Sequence, residues 1–270
     1  MIDVIIHWSA VVVYVIATIA NSYGIIFKKQ KAENMSYAIV LLGLLIHSTA
    51  LVYRWHYSGH GPYMTRYEVL SSNAWVALVM FLIFTRIFQW IRQVSIIVFP
   101  SVFLLVALGL FTNPGIQKLP PTLRSIWLVL HVTFYKIALG TLLVALAFSV
   151  FIIFKKKMSG KWLQNLSNPD TLDLSAYRFA GFGFTFWAIG MLAGSIWAYQ
   201  SWGRFWGWDP VETWSLITWI FFGIYLHLRR FFGWKGERAA YFFILCFLFS
   251  LATVFFTPLI ESSIHSEYFR

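Results

Sequence analysis

The chain is poor in charge. Only 11% of its 270 residues are Asp, Glu, Lys or Arg, while 59% are hydrophobic and 20% aromatic. A soluble domain carries about 25% charged residues. Water could not solvate so apolar a surface, which excludes an ordinary soluble enzyme and points to a polytopic membrane protein. Acid is scarcer than base, with 10 Asp and Glu against 21 Lys and Arg. In a soluble chain that excess would suggest nucleic acid; here it marks cytoplasmic loops, and no nucleic-acid partner is expected. Cysteine is almost absent: Cys246 stands alone in an apolar run. It forms no internal disulfide, and there is no CxxC or CxxCH. The chain is therefore neither a thioredoxin-like thiol carrier nor itself a c-type cytochrome. The opening Met1-Ile2-Asp3-Val4 lacks a basic region and a small-residue cleavage site, and reads as the start of a first span rather than a removable signal.

What the chain has is long apolar runs. Eight are each long enough to cross about 30 Å of hydrocarbon as a helix: near 4–26, 37–55, 73–90, 94–111, 127–154, 178–199, 212–229 and 239–260. The expectation is an all-α polytopic membrane bundle of about eight transmembrane helices, with residues 1–270 forming a single membrane domain. An even number of spans puts both termini on one side. Twelve basic residues, among them Lys28, Lys29, Lys31, Lys155, Lys156, Lys157, Arg229 and Arg230, fall in one set of loops; six, Arg54, Arg66, Lys118, Arg124, Arg204 and Arg270, fall in the other set. The richer set is cytoplasmic, so both termini and the segment between spans six and seven are expected outside. In a bacterium that means the periplasmic face of the inner membrane. In span six, Gly190 and Gly194 make a small-xxx-small pair suited to close helix packing.

That external segment is the densest in aromatics. WGRFWGWDPVETWSLITW, residues 202–219, contains five of the 14 tryptophans: Trp202, Trp206, Trp208, Trp214 and Trp219. An interfacial belt would account for one or two tryptophans per helix end, but accounts poorly for five. The other reading is a platform for a large planar ligand, with Gly203 and Gly207 permitting close approach and Arg204 meeting an acidic substituent. Asp209-Pro210-Val211-Glu212 has the pattern of N-cap, N1, N2 and N3 of span seven, so the two acids would cap a helix and fix where the tryptophans point. Haem has the right shape: flat, apolar over its centre and acidic at one edge. It also needs axial ligands, usually nitrogen or sulfur.

Histidine supplies them. His131, at the outer end of span five, and His265, just beyond span eight, lie near the depth of the aromatic segment. Two neutral imidazoles there could hold an iron from both faces. His227 lies 15 residues after Glu212, roughly 22 Å along the helix and towards the cytoplasmic side. His47 is near the middle of span two. Ionisable groups inside a membrane are expensive and are functional candidates. His227 and His47 are thus candidates for a deeper site, with a helix-to-helix hydrogen bond as the competing role of His47. Lys136, another intramembrane charge, could pair with a carboxylate or snorkel. His7, His56 and His60 are expected in solvated or interfacial positions.

Taken together, Trp202-Gly203-x-x-Trp206-x-Trp208-Asp209-Pro210-x-Glu212-Thr213-Trp214, then Leu216-Ile217-Thr218-Trp219, resembles the tryptophan-rich WWD signature of haem-handling proteins. Tyr225-Leu226-His227-x-Arg229, Gly233-Trp234-Lys235-Gly236, the terminal His265-Ser266, Gly59-His60-x-Pro62 and Tyr67-Glu68 extend the match over nearly the whole chain. It is similar to the CcsA (ResC) family of system II cytochrome c biogenesis. The resemblance implies a protein that moves haem b across the membrane as a substrate and presents it externally for attachment to apocytochrome c CxxCH. It implies paired external histidines at His131 and His265 flanking the WWD segment at about 200–214, and a membrane-embedded histidine at His227. The implied partner is a CcsB/ResB-like membrane protein with a large external domain, with a thiol-reducing thioredoxin-like protein acting indirectly. The chain would then be a subunit of a holocytochrome c synthase, or haem lyase, complex, offering no catalytic residue of certain identity. The alternatives are a haem exporter of CcmC type, which shares the tryptophan motif, and a cytochrome b-type subunit that keeps haem as a redox cofactor.

Overall fold

The structure is a computed structural model and describes residues 2–158, 160 and 162–257. His265 lies outside the described residues. Among those described there is no strand, and the chain runs through eight α-helices: α1 (Ile2–Ile26), α2 (Gln30–Ser58), α3 (Arg66–Ile87), α4 (Ser95–Leu110), α5 (Ile126–Lys157), α6 (Pro169–Trp202), α7 (Pro210–Phe231) and α8 (Gly236–Leu251). The all-α expectation holds. Among the described residues, eight helical segments, counting the turns that extend α4 and α8, are long and apolar enough to cross a membrane, and the chain is a multi-pass integral membrane protein. The short connection expected between spans three and four is a 3₁₀ turn, Gln89–Val94. Several helices overrun the apolar runs that announced them, α6 by nine residues at its start, because caps rather than hydropathy end them.

Those caps are legible one by one. Ser125 accepts from Trp127 N at the start of α5. Asn168 accepts from Thr171 N, with Pro169 at the first helical position of α6, where its missing N–H is harmless. Thr65 and Glu68 make a reciprocal capping box on α3. Gly203 closes α6 in the left-handed conformation (φ 73°), its N–H reaching Tyr199 O, a conformation that suits glycine.

The chain divides into two compact units, where the sequence suggested one domain: α1–α4 make one, α5–α8 the other. In the second unit α5 is the central helix, with 78% of its most apolar window buried, and it packs mainly on α6 and α8. It is apolar on nearly every face, as a fully surrounded helix must be. The first unit has a different interior. Its α1 buries Asp3, His7, Tyr14 and Asn21 along one stripe, alternating with Ala10, Ala17 and Gly24. Arg54 of α2, which loop arithmetic counts as an outer cation, is inside and 2% exposed. Its Nε donates to Glu68 Oε1 at 2.7 Å and its Nη1 to Asp3 Oδ2 at 3.0 Å. The guanidinium also donates to the carbonyls of Pro114 and Gly115. One planar fork thus ties α1, α2 and α3 to the loop after α4. Removing one member of a buried ionic group strands the others, at about 3–5 kcal/mol. Arg54→Met is therefore expected to lower the unfolding free energy by that amount, seen as a large fall in the thermal midpoint of the purified protein in lipid nanodiscs. A midpoint within a degree or two of wild type would contradict this account.

Candidate functional site

In the second unit, the start of α5, the end of α6 and the start of α7 come together around an open pocket. Its walls include His131, Tyr135, Gly194, Trp202, Trp206 and Glu212. The geometry around His131 follows from glycine on the facing helix. A Cβ on Gly194 would overlap the His131 ring, and one on Gly190 would overlap the Tyr135 ring. The small-xxx-small pair thus packs α6 on α5, as its spacing suggested, and it does so at the histidine itself. His131 Nδ1 lies 2.8 Å from Gly190 O. A carbonyl only accepts, so Nδ1 carries the proton and the neutral ring keeps a lone pair on Nε2. That is the orientation by which proteins prepare an imidazole for a metal.

Below His131 the floor is polar. The Tyr135 hydroxyl hydrogen-bonds the Ser215 hydroxyl, which also lies 3.1 Å from Trp187 Nε1. Above it the wall is aromatic. Trp197 and Trp202 meet edge to face at 4.9 Å, and Trp197 Nε1 donates to Thr122 O. Tyr199 and Phe205 stack at 4.3 Å. Trp206 Nε1 is buried and has no hydrogen-bond partner among the described residues, a donor at the cavity wall whose burial costs free energy unless an acceptor meets it.

The aromatic segment is less of a loop than its composition suggests. Trp202 is the last residue of α6, and Trp214 and Trp219 belong to α7; only 203–209 is non-helical. The capping pattern read from Asp209 to Glu212 is present. Val211 N donates to Asp209 Oδ2 at 3.0 Å, and Glu212 Oε2 accepts from Asp209 N at 3.3 Å and Gly207 N at 2.7 Å. Glu212 therefore fastens the loop as well as the helix. The Arg204 guanidinium covers Gly207 so closely that a Cβ there would overlap it, and Arg204 itself is exposed. Trp208 is held at φ 56°, in the left-handed region, and is 70% exposed. For a large side chain that conformation is strained. Among the described residues no burial of Trp208 offsets it.

The other histidines sort differently from their sequence depth. His227 is exposed, near the far end of α7 and four residues before its last, beside Phe231 at 4.6 Å and Phe232 at 5.7 Å. The sequence reading put His227 well inside the membrane, towards the cytoplasmic side; α7 runs to Phe231, so His227 lies in its last turns. That end is pinned by a pair that sequence reading missed: Arg229 donates twice to the Asp173 carboxylate, both at 2.6 Å, and Gly236 N donates to it at 2.8 Å. His47 has the other role named for it. It is fully buried in the first unit, with Nδ1 3.2 Å from the Tyr14 hydroxyl and Nε2 2.8 Å from the Ser71 hydroxyl. Both nitrogens are occupied, which is the helix-to-helix role. His7 and His60, expected at wet positions, are also buried, at 0% and 3% exposed. His60 lies within hydrogen-bond reach of Gly61 O and Gln117 O. Lys136 is buried on α5 at 8% exposed.

Comparison with known proteins places the chain. It matches the profile of the family described as Cytochrome C assembly protein over residues 63–265. The chain thus belongs to the cytochrome c assembly family and, within it, to the CcsA group of cytochrome c biogenesis proteins. It is 32% identical over 255 residues to a protein of Prochlorococcus marinus named Cytochrome c biogenesis protein CcsA, covering 84% of this chain and 82% of that one. A Guillardia theta protein of the same name is 33% identical, covering 86% and 85%. A third, from Chlamydomonas reinhardtii, is 37% identical over 225 residues; the match spans 80% of this chain but 63% of the longer relative. Among solved structures, a chain titled Cytochrome c Heme Lyase CcmF has a TM-score of 0.69 at 16% identity, and the likeness covers 99% of this chain and 48% of that one. At that identity it speaks for the fold.

The left-handed backbone at Trp208 gives a direct test. Trp208→Gly and Trp208→Ala both remove the indole, but alanine keeps the Cβ that the conformation disfavours. The glycine variant is expected to be the more stable of the two by about 1 kcal/mol, read as the difference in their chemical-denaturation midpoints. Equal stability would show that residue 208 does not hold this conformation.

Proposed function

We propose that the chain binds haem as a substrate in the cavity beside the 203–209 loop, on the outer side of the membrane, and presents it for attachment to the CxxCH thiols of an apocytochrome c. The observation that carries this reading is the imidazole of His131, its Nδ1 proton committed to Gly190 O, in a cavity walled by tryptophan. The residues fit the group. Haem requires an axial nitrogen, flat apolar walls and donors or cations for its carboxylates. His131, the Trp202 and Trp206 faces, the Trp206 N–H, which has no partner among the described residues, and the exposed Arg204 supply them in kind. His265 is the second axial imidazole in this proposal. Glu212 and Asp209 act by fixing the loop, and Trp208 and Trp214 are exposed ring surface for the porphyrin or the incoming peptide.

The chemistry asks for position more than for acid or base. A thiol S–H adds across a haem vinyl group: sulfur bonds to the carbon next to the ring, hydrogen goes to the terminal carbon, and no electrons are gained or lost overall. The chain's single cysteine, Cys246, is buried in α8, and the chain contributes by holding haem where two thiols can reach it. It acts as a subunit of a haem lyase complex with a CcsB/ResB-like membrane partner, a thioredoxin-like protein keeping the apocytochrome thiols reduced. The bias of basic residues supports external termini, and the membrane of this proposal is a bacterial-type inner membrane. Exposed His227, flanked by Phe231 and Phe232, serves as a resting ligand for haem on its way from the cytoplasmic side. With His47 committed elsewhere, the second ligand of that lower site comes from the partner.

Loss of one axial nitrogen is expected to lower haem per polypeptide and mature cytochrome c yield at least about tenfold, equivalent to 1.4 kcal/mol or more of binding. His131→Ala tests this, and added imidazole should restore part of both. Gly194→Ala, which drives a Cβ into the same ring, should act in the same direction without imidazole rescue. Unchanged haem content in both variants would sink the site. For the route, His227→Ala in the complex with the partner should deplete haem at both sites, because supply stops upstream. Full external haem and full maturation in that variant would make His227 a lipid-facing residue without a role in transfer.

A further inference from the structure

The pocket floor beneath His131 holds more hydrogen-bond donors than acceptors. Three side chains meet there, one from each of three helices: Tyr135 on α5, Trp187 on α6 and Ser215 on α7. Trp187 is fully buried, and an indole N–H can only donate. Its Nε1 lies 3.2 Å from Ser215 O and 3.1 Å from Ser215 Oγ. The Tyr135 and Ser215 hydroxyls share a hydrogen bond in which either can be the donor. Two hydroxyls bring two protons, and one bond between them uses one. If Tyr135 donates, the Ser215 proton is left over; if Ser215 donates, the Tyr135 proton is. Neither hydroxyl has a further acceptor among the described residues. One O–H is therefore unused in either arrangement, and both residues line the pocket.

A buried donor left without an acceptor costs free energy until one arrives. The ligand that suits this floor carries an acceptor, and the gain is largest for an anion. Its identity follows from the haem reading above, on which this inference rests. Thiol addition needs the two vinyl groups turned outward, where the CxxCH segment arrives. The propionates of haem hang from the two pyrroles opposite those that bear the vinyls, so the carboxylate edge is then turned inward. Tyr135 follows His131 by four residues, on the same face of α5 and one turn further in. We propose that the Tyr135–Ser215 pair is a carboxylate-recognition point: its unused O–H donates to a propionate of haem seated on His131, and so selects porphyrins with a free carboxylate.

The pair is held in place before any ligand comes. The Tyr135 ring meets His131 at 4.8 Å and Trp187 edge to face at 4.7 Å, and it fills the space that a Cβ on Gly190 would need. Ser215 is 4% exposed and is fixed from behind by the Trp187 N–H. The neighbouring polar groups are committed elsewhere. The His131 Nδ1 proton goes to Gly190 O. Glu212 Oε2 accepts from Gly207 N and Asp209 N, and an ionised carboxylate has no proton to give. Trp206 N–H belongs to the loop rather than the floor and stays intact in every variant below.

The test compares two iron porphyrins that differ only at the carboxylates. Full-length protein in lipid nanodiscs is titrated with haem and with haem dimethyl ester, and binding is followed at the Soret band. The ester keeps the iron, ring and vinyls; its carbonyls still accept, but a bond to a carboxylate is about twice as strong. Wild type should bind haem at least about tenfold more tightly than the ester, a difference of 1.4 kcal/mol. In Tyr135→Phe/Ser215→Ala most of that preference should disappear, through weaker haem binding with the ester little changed. Because the ratio is taken within one protein, the folded fraction cancels. Each single variant keeps one O–H and should hold the preference better than the double variant. Tyr135→Phe/Ser215→Thr, which returns one hydroxyl, should recover it. The proposal is overturned if wild type binds both porphyrins equally, an outcome that needs no variant. It is equally overturned if the double variant keeps the wild-type ratio, or if either single variant loses as much as the double. Absence of any His131-dependent binding of either porphyrin would sink the haem reading itself, and this inference with it.

Discussion

A polar group inside hydrocarbon must find its partner within the protein. In the first unit this constraint shapes nearly every helix contact. Arg54 is neutralised by Asp3 and Glu68 and spends its remaining donors on two loop carbonyls. His7, Ser71 and His47 satisfy one another in sequence. Asn21 takes Ser36 and Ser95 as partners farther along the same stripe of α1. Apolar side chains in a membrane gain little by choosing one another over lipid, so these bonds fix register where hydrophobicity cannot.

The second unit answers the same constraint with close packing. Glycine at 190 and 194 lets α6 approach α5 until a backbone carbonyl meets His131 Nδ1. The bond that brings the helices together is also the bond that sets the tautomer. Packing and site chemistry are one feature there, and neither glycine can gain a side chain without disturbing the imidazole. At the other end of the unit, the Arg229–Asp173 pair holds the last turns of α7 and leaves His227 facing outward.

Between α6 and α7 the loop is short and tightly fastened. Gly203 turns the chain out of one helix, Asp209 caps the next, and Glu212 bonds back to Gly207. What remains is strained at one residue, Trp208, whose indole is left in the open. Strain of this kind persists when the surroundings over-determine the backbone, and it collects where a ligand is met.

The sequence by itself determined the class and the outline. Low charge and eight apolar runs required a helical membrane protein, because no other chain arrangement solvates such a composition. The Asp209–Glu212 cap was legible because a cap is a local contract among four residues. The tryptophan segment and His131 could be nominated because composition and helix ends are also local facts. Three things were decided only by tertiary structure. The Arg54 cluster joins residues 3, 54, 68 and 114, and nothing in their spacing announces a meeting. His7 and His47 looked like a wet residue and a possible ligand, and became partners because α3 places one serine hydroxyl between them. His227 was assigned a depth from its distance along the helix, but whether a side chain faces neighbour or lipid depends on which helices pack around it. Sequence gives position along a helix; direction around it is settled by long-range contacts.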